Sequence, residues 1–137
     1  MKILSMPAAG MPGILNIVKD GVLNPNFSLT GAPTAYDAVN GRLTVSSSNA
    51  QRFLYLSPNI DISNYTQINA MVATSEGNAR VNFVFTIDSG SAADHLGAAN
   101  TSINTITAAL SGSLLHSADF RTMDHGTTFY IYNLWLQ

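Results

Sequence analysis

Six residues have side chains suited to holding a sugar: Tyr36, Asp37, Asp94, His95, Arg121 and Trp135. An aromatic face covers the apolar side of a pyranose ring, and carboxylate, imidazole and guanidinium groups pair with its hydroxyls. Tyr55, Tyr130 and Tyr132 supply further rings. For each aromatic alone, packing in the interior is the commoner fate. Metal chemistry has one nominee. Asp88 and Asp94 bracket a Ser- and Gly-containing stretch whose carboxylates, hydroxyls and carbonyls suit a hard cation; no cofactor is the first expectation, and calcium is the ion such a stretch would take. The stretch lacks the spacing and the bidentate Glu of an EF-hand, and a solvated loop is its ordinary reading. Residues 119 to 125 offer a looser cluster of the same kind. Zinc would need His at ligand spacing, and His95, His116 and His125 are scattered.

Covalent catalysis finds no footing. The chain has no Cys, and no G-x-S-x-G stretch presents a nucleophilic Ser. Glycoside hydrolysis needs two carboxylates flanking the bond, yet Glu76 is the only Glu and sits in a Glu-Gly-Asn turn. We therefore expect a binding protein and no enzyme.

The elements that must position these residues read as strands. Residues 41–46, 52–56, 65–73, 80–87, 102–108 and 129–137 are short and apolar or alternating, and turn residues separate them. Asn40-Gly41 and Asp88-Ser89-Gly90 are turn chemistry. Residues 16–18 and 27–29 add one or two more strands. No window shows helical spacing, so the expected fold is an all-β antiparallel sandwich. One domain over residues 14–137 is expected to follow an irregular N-terminal arm over residues 1–13. Three stretches are expected to be binding loops: 31–40, 88–100 and 116–128.

The final strand, FYIYNLWLQ, carries the only Trp and no charge. Strict alternation puts Tyr130, Tyr132, Leu134 and Leu136 on one face and Phe129, Ile131, Asn133 and Trp135 on the other. We expect the first set to face the core and Trp135 to be covered by the arm, a partner or a ligand.

Charged residues make up 10% of the chain, against about 25% in an average soluble protein. The surface must then be built from Asn, Ser, Thr, Gly and Ala, side chains that match sugar hydroxyls without the desolvation cost of charge. Six basic against eight acidic residues, with no basic run, excludes nucleic acid as a partner. No apolar run approaches the roughly 18 residues of a membrane span.

Three stretches together resemble the galactose-binding-like jelly rolls. Residues 16–27 are similar to their leader strand with its Asp-Gly turn and Asn-Pro step, and residues 55–68 to their aromatic strand followed by an Ile-Asp-x-Ser-x-Tyr passage. Residues 130–136 look like their closing strand. The resemblance implies a jelly roll of the carbohydrate-binding-module type, as found in phage tail and virion proteins. Pro7, Gly10, Pro12 and Gly13 interrupt the opening apolar residues, so no secretory signal is read, and a virion setting follows as the expected localisation. The partners expected are cell-surface glycan or other virion proteins. The chain is expected to be a homo-oligomer, with a trimer as one arrangement. A purely structural virion role is the competing function.

Overall fold

The computed structural model describes residues 13–31, 34–45, 54–57, 60–75, 79–88, 91–99, 101–122 and 128–137. Thirteen strands and no helix occur among them. Two sheets enclose the core, and every pairing is antiparallel. The expected sandwich is therefore the observed one. Of the expected arm, only Gly13 lies among the described residues.

The larger, 7-stranded sheet is organised around β13 (Phe129–Leu136). On one side it pairs with β8 (Gln67–Thr74), and β11 (Asn104–Ala109) lies beyond. On the other side β13 has two partners in line: β1 (Leu15–Lys19) along its second half and β5 (Arg42–Val45) along its first. Outside these lie β2 (Val22–Leu23) and β4 (Thr34–Asp37).

The junction between the two partners is built by the Asp-Gly pair. Lys19 opposes Val22, so Asp20 and Gly21 form a two-residue hairpin turn, and both have positive φ, 50° and 80°. Gly21 donates its N–H to the Tyr132 carbonyl at 2.9 Å, which fills the gap in the ladder. A Cβ at Gly21 would overlap the backbone of Arg42, so this close approach admits only glycine.

The second sheet has the order β10 (Ser91–Ala99), β9 (Ala79–Ile87), β12 (Leu114–Thr122) and β7 (Ile60–Asp61). The pair β3 (Ser28–Gly31) and β6 (Leu54–Ser57) lies against β12. The core between the layers takes Ile17, Val18, Leu43, Ile68, Val72, Ile106, Phe129, Ile131, Leu134 and Leu136 from the larger sheet. Ile60, Ile62 and Leu115 meet them from the other side.

One expectation about β13 is corrected. Phe129, Ile131, Leu134 and Leu136 are buried, whereas Tyr130 and Tyr132 are half-exposed. The cause is a bulge: Ile131 opposes Val72 and Asn133 opposes Met71, leaving Tyr132 as an extra residue. Alternation holds on either side of the bulge and reverses phase across it. The outward placement of Asn133 and Trp135 stands.

The expected binding loops are also corrected. Residues 91–99 form β10, 114–122 form β12 and 34–37 form β4. β10 is rich in Ala and Gly and has no β-branched residue, so its sequence carries little strand signal. Nine consecutive registers with the Val- and Phe-rich β9, from Ser91–Ile87 to Ala99–Ala79, make it a strand. The alternation of β12 is broken by a bulge between Leu115 and Ser117. The turn at Ile62 to Tyr65 forms as its residues indicate. Asp61 accepts from the Ser63 N–H at 3.0 Å and hydroxyl at 2.6 Å, and the Tyr65 side chain packs against the core.

Candidate functional site: an aromatic and amide groove

Trp135 lies on the outer face of the larger sheet, in a row fixed by backbone register. Thr107 on β11 opposes Asn69 on β8, Asn69 opposes Trp135 on β13, and Trp135 opposes Asn16 on β1. Cross-strand neighbours share a face, so three polar residues and one indole form a line across four strands. Met71 and Asn133 form the next step. Ile14, Asn16, Lys19, Met71, Asn133 and Trp135 line an open groove of about 490 Å³.

Hydrogen bonds fix the indole before any ligand is present. Trp135 Nε1–H donates to Gln137 Oε1 at 3.0 Å, and Asn69 Nδ2 donates to the same oxygen at 3.4 Å. Thr107 Oγ1–H in turn donates to Asn69 Oδ1 at 2.8 Å. Asn69 is buried on a face that is otherwise partly wet, and this chain of bonds satisfies both ends of its amide. Asn133 Oδ1 accepts from the Asp20 N–H at 3.0 Å, tying the groove floor to the Asp-Gly turn. With its polar edge occupied, the indole offers its apolar surface to the groove.

Further along the same face, Arg42 stacks on Tyr130, with Cζ 3.7 Å from the ring centroid. It donates to the Tyr132 hydroxyl at 3.3 Å and pairs with Asp37 at 3.0 Å. The Tyr132 hydroxyl first, and the Asp37 carboxylate with it, raise the Arg42 pKa. Hydrogen bonds from Asn40, and then from Arg42, hold the Asp37 carboxyl below its ordinary value. Asp37 is thus committed to neighbours within the protein. Tyr36 stands on the outermost strand opposite Leu43, 56% exposed, and lines a second groove of about 410 Å³ with Asn16, Lys19, Val22, Asn24 and Pro25.

The six expected residues divide between the two sheets. Tyr36, Asp37 and Trp135 belong to the larger sheet, and Asp94, His95 and Arg121 to the smaller. Asp94 opposes Val84, which opposes Asp119, and Arg121 opposes Asn82. The backbone of Asp94, Val84 and Asp119 thus forms one cross-strand row, with Arg121 two positions along β12. The backbone of His95 is opposite that of Phe83.

The expected calcium pair is not a single loop. Asp94 lies three residues into β10, roughly 10 Å along the strand from the hairpin end that Asp88 precedes. Asp88 has φ 54°, and its Oδ1 accepts from the N–H groups of Ser113 and Leu114, each at 2.9 Å. The Asp88 carbonyl meets His116 Nε2, so this residue clasps the end of β9 to the start of β12. No cluster of three His, Cys, Asp or Glu suited to a metal occurs among the described residues.

Sequence reasoning missed Ile14, Asn16, Lys19, Met71 and Gln137 as groove residues and Asn69 as the buried amide beside them. Register brings Asn16, Asn69 and Met71 to the last strand, and the bulge at Tyr132 sets the pairing with Met71 and Asn69.

No protein-family model and no curated protein matches the chain. Solved structures do. A mutant family 29 carbohydrate binding module complexed with mannohexaose has a TM-score of 0.71 at 13% identity, covering 90% of each chain. A second mutant, complexed with cellulohexaose, has a TM-score of 0.65 at 14% identity and covers 90% of this chain and 89% of that one. A further family 29 module gives 0.66 at 13% identity, over 90% and 87%. At these identities the likeness is one of fold. The protein is an antiparallel β-sandwich of the architecture found in carbohydrate binding modules.

Proposed function

We propose that the protein is a non-catalytic carbohydrate-binding module whose outer-face groove takes a glycan against Trp135. The observation that carries this reading is the indole itself. It is half-buried, its N–H is bonded to Gln137, and the amides of Asn16 and Asn133 flank it in an open groove. Ring faces with amides beside them match the alternating apolar and hydroxyl surfaces of a sugar. The likeness in fold to modules complexed with mannohexaose and cellulohexaose supports the same reading.

Trp135 is the only Trp, so its fluorescence reports the groove directly. A glycan array identifies the ligand class, and titration with a bound glycan shifts or quenches the emission. Trp135→Ala removes a central aromatic contact worth roughly 2 kcal/mol or more, about a thirtyfold loss of affinity. Arg121→Ala, on the other sheet, leaves affinity unchanged. The opposite pattern would move the site to the smaller sheet.

The setting we propose is a phage or similar particle, with the module presented in several copies to a cell-surface glycan. A chain with 10% charged residues supports it, because weak mutual repulsion permits close packing of copies. A flat apolar patch would favour pure assembly instead. Of the exposed apolar residues, Val39 and Ile103 lie between strands and Leu114 opens β12, whereas Ile14, Val22 and Tyr36 line the two grooves.

A further inference from the structure

The larger sheet ends on two edges of different chemistry. On one side β2 is only two residues long, Pro25 follows it, and on β4 Asp37 is ion-paired with Arg42. Short strands, proline and charge all discourage a further strand from adding on. The other edge, β11, has none of these. It pairs with β8 through six consecutive registers without a bulge, and residues 96–115 hold no charged side chain and no Pro.

The hydrogen-bond phase of β11 is fixed at its end. Leu110 donates its N–H to the Thr66 carbonyl at 2.8 Å, so Ala108, Ile106 and Asn104, at every second position, also turn their backbone groups towards β8. Thr105, Thr107 and Ala109 therefore direct N–H and C=O away from the sheet, and no strand among the described residues meets them.

We propose that this edge pairs with the same edge of a second copy of the chain, antiparallel about a two-fold axis at Thr107. That register sets Thr107 opposite Thr107 of the second copy and Thr105 opposite Ala109 of the second copy. All three outward residues are then used, and each pair exchanges two main-chain hydrogen bonds. A strand that meets its own copy brings any edge charge close to its like, and β11 has no charge to repel. The pairing also brings Ile103, 52% exposed just before β11, beside the second copy. The axis stands perpendicular to the sheet, so the two outer faces become one. The row Trp135, Asn69, Thr107 continues through Thr107, Asn69 and Trp135 of the second copy. Both Trp135 grooves thus open on the same side, five strand spacings or roughly 24 Å apart. Resting on the glycan-binding reading above, this dimer is a two-handed grip on a surface that displays many copies of a sugar. One strand pair buries little area, so association is expected in the micromolar range.

The test is light scattering on the full chain between about 5 and 500 µM. The wild-type mass should rise with concentration towards twice the 14.6 kDa of one chain. Thr105→Lys with Ala109→Lys sets like charges opposite each other and should stay monomeric, whereas Thr105→Lys with Ala109→Glu sets opposite charges together and should dimerise. Both positions are exposed, so both variants fold, which circular dichroism checks. A wild type that stays monomeric or forms a trimer overturns the proposal, as does a double-Lys variant that dimerises like the wild type. Loss of the dimer in both variants overturns the register. On a sensor surface coated with mannohexaose or cellulohexaose, the wild type should dissociate at least tenfold more slowly than the double-Lys variant, with equal affinity for the free sugar. Equal dissociation overturns the shared face. If neither protein binds either sugar and the glycan array is silent, the glycan reading falls while the dimer stands on its mass.

Discussion

Trp135 has its polar edge occupied before any ligand arrives. Gln137 Oε1 accepts from the indole N–H and from Asn69, so removing Gln137 frees the ring and strands a buried amide. Gln137→Ala should therefore weaken glycan binding severalfold and also lower stability by about 1–3 kcal/mol, the usual cost of an unsatisfied buried polar group. Calorimetry and urea unfolding separate the two effects. Gly21 is constrained from two directions, by φ of 80° and by the backbone of Arg42. Gly21→Ala should cost more than the roughly 1–2 kcal/mol of a left-handed residue alone, because the new methyl also displaces β5. Acid sensitivity belongs to Asp37 and Asp61. Hydrogen bonds from Asn40 and from Ser63 hold their pKa values below the ordinary 3.8. The folded state therefore binds protons less readily than the unfolded one. The stabilisation is complete above the ordinary value and is lost as pH falls through the lowered ones. Denaturation midpoints should drop as pH falls below about 4, and Asp37→Asn with Asp61→Asn should flatten that drop.

The elements show where the sequence speaks plainly and where it does not. β9, with Val81, Phe83, Phe85 and Ile87 at every second position, is legible because its pattern has the period of a strand. β10 is not legible: Ala and Gly record neither face, and only pairing with β9 makes it extended. β13 was legible as a strand but not in its phase, since a bulge leaves no mark on residue type. That one-residue shift decides the site, because it turns Phe129 and Ile131 inward while keeping Trp135 outward. Ile131 is completely buried at the centre of this strand, and Ile131→Ala should cost about 2–5 kcal/mol in urea unfolding. Tyr132→Ala at the bulge should cost far less.

At the scale of the whole molecule, scarcity of charge governs association. Six basic and eight acidic residues give a net charge of −2, and the charged residues lining the two grooves are Lys19 and Asp20, one of each sign. Glycan affinity should therefore change less than twofold between about 50 and 500 mM salt, where a binding mode built on ion pairs would weaken steeply. Light scattering at micromolar concentration tests the proposed oligomer, and a monomer mass would count against the particle setting. The topology also carries a consequence for birth of the chain on the ribosome. β13 is the last of the described strands to be synthesised, yet it is the one that β1, β5 and β8 all pair with. Until it emerges, three strands of the larger sheet have open edges and uncovered apolar faces. Completion of the sheet thus waits for β13, is ruled by contacts between distant parts of the chain, and is expected to be slow.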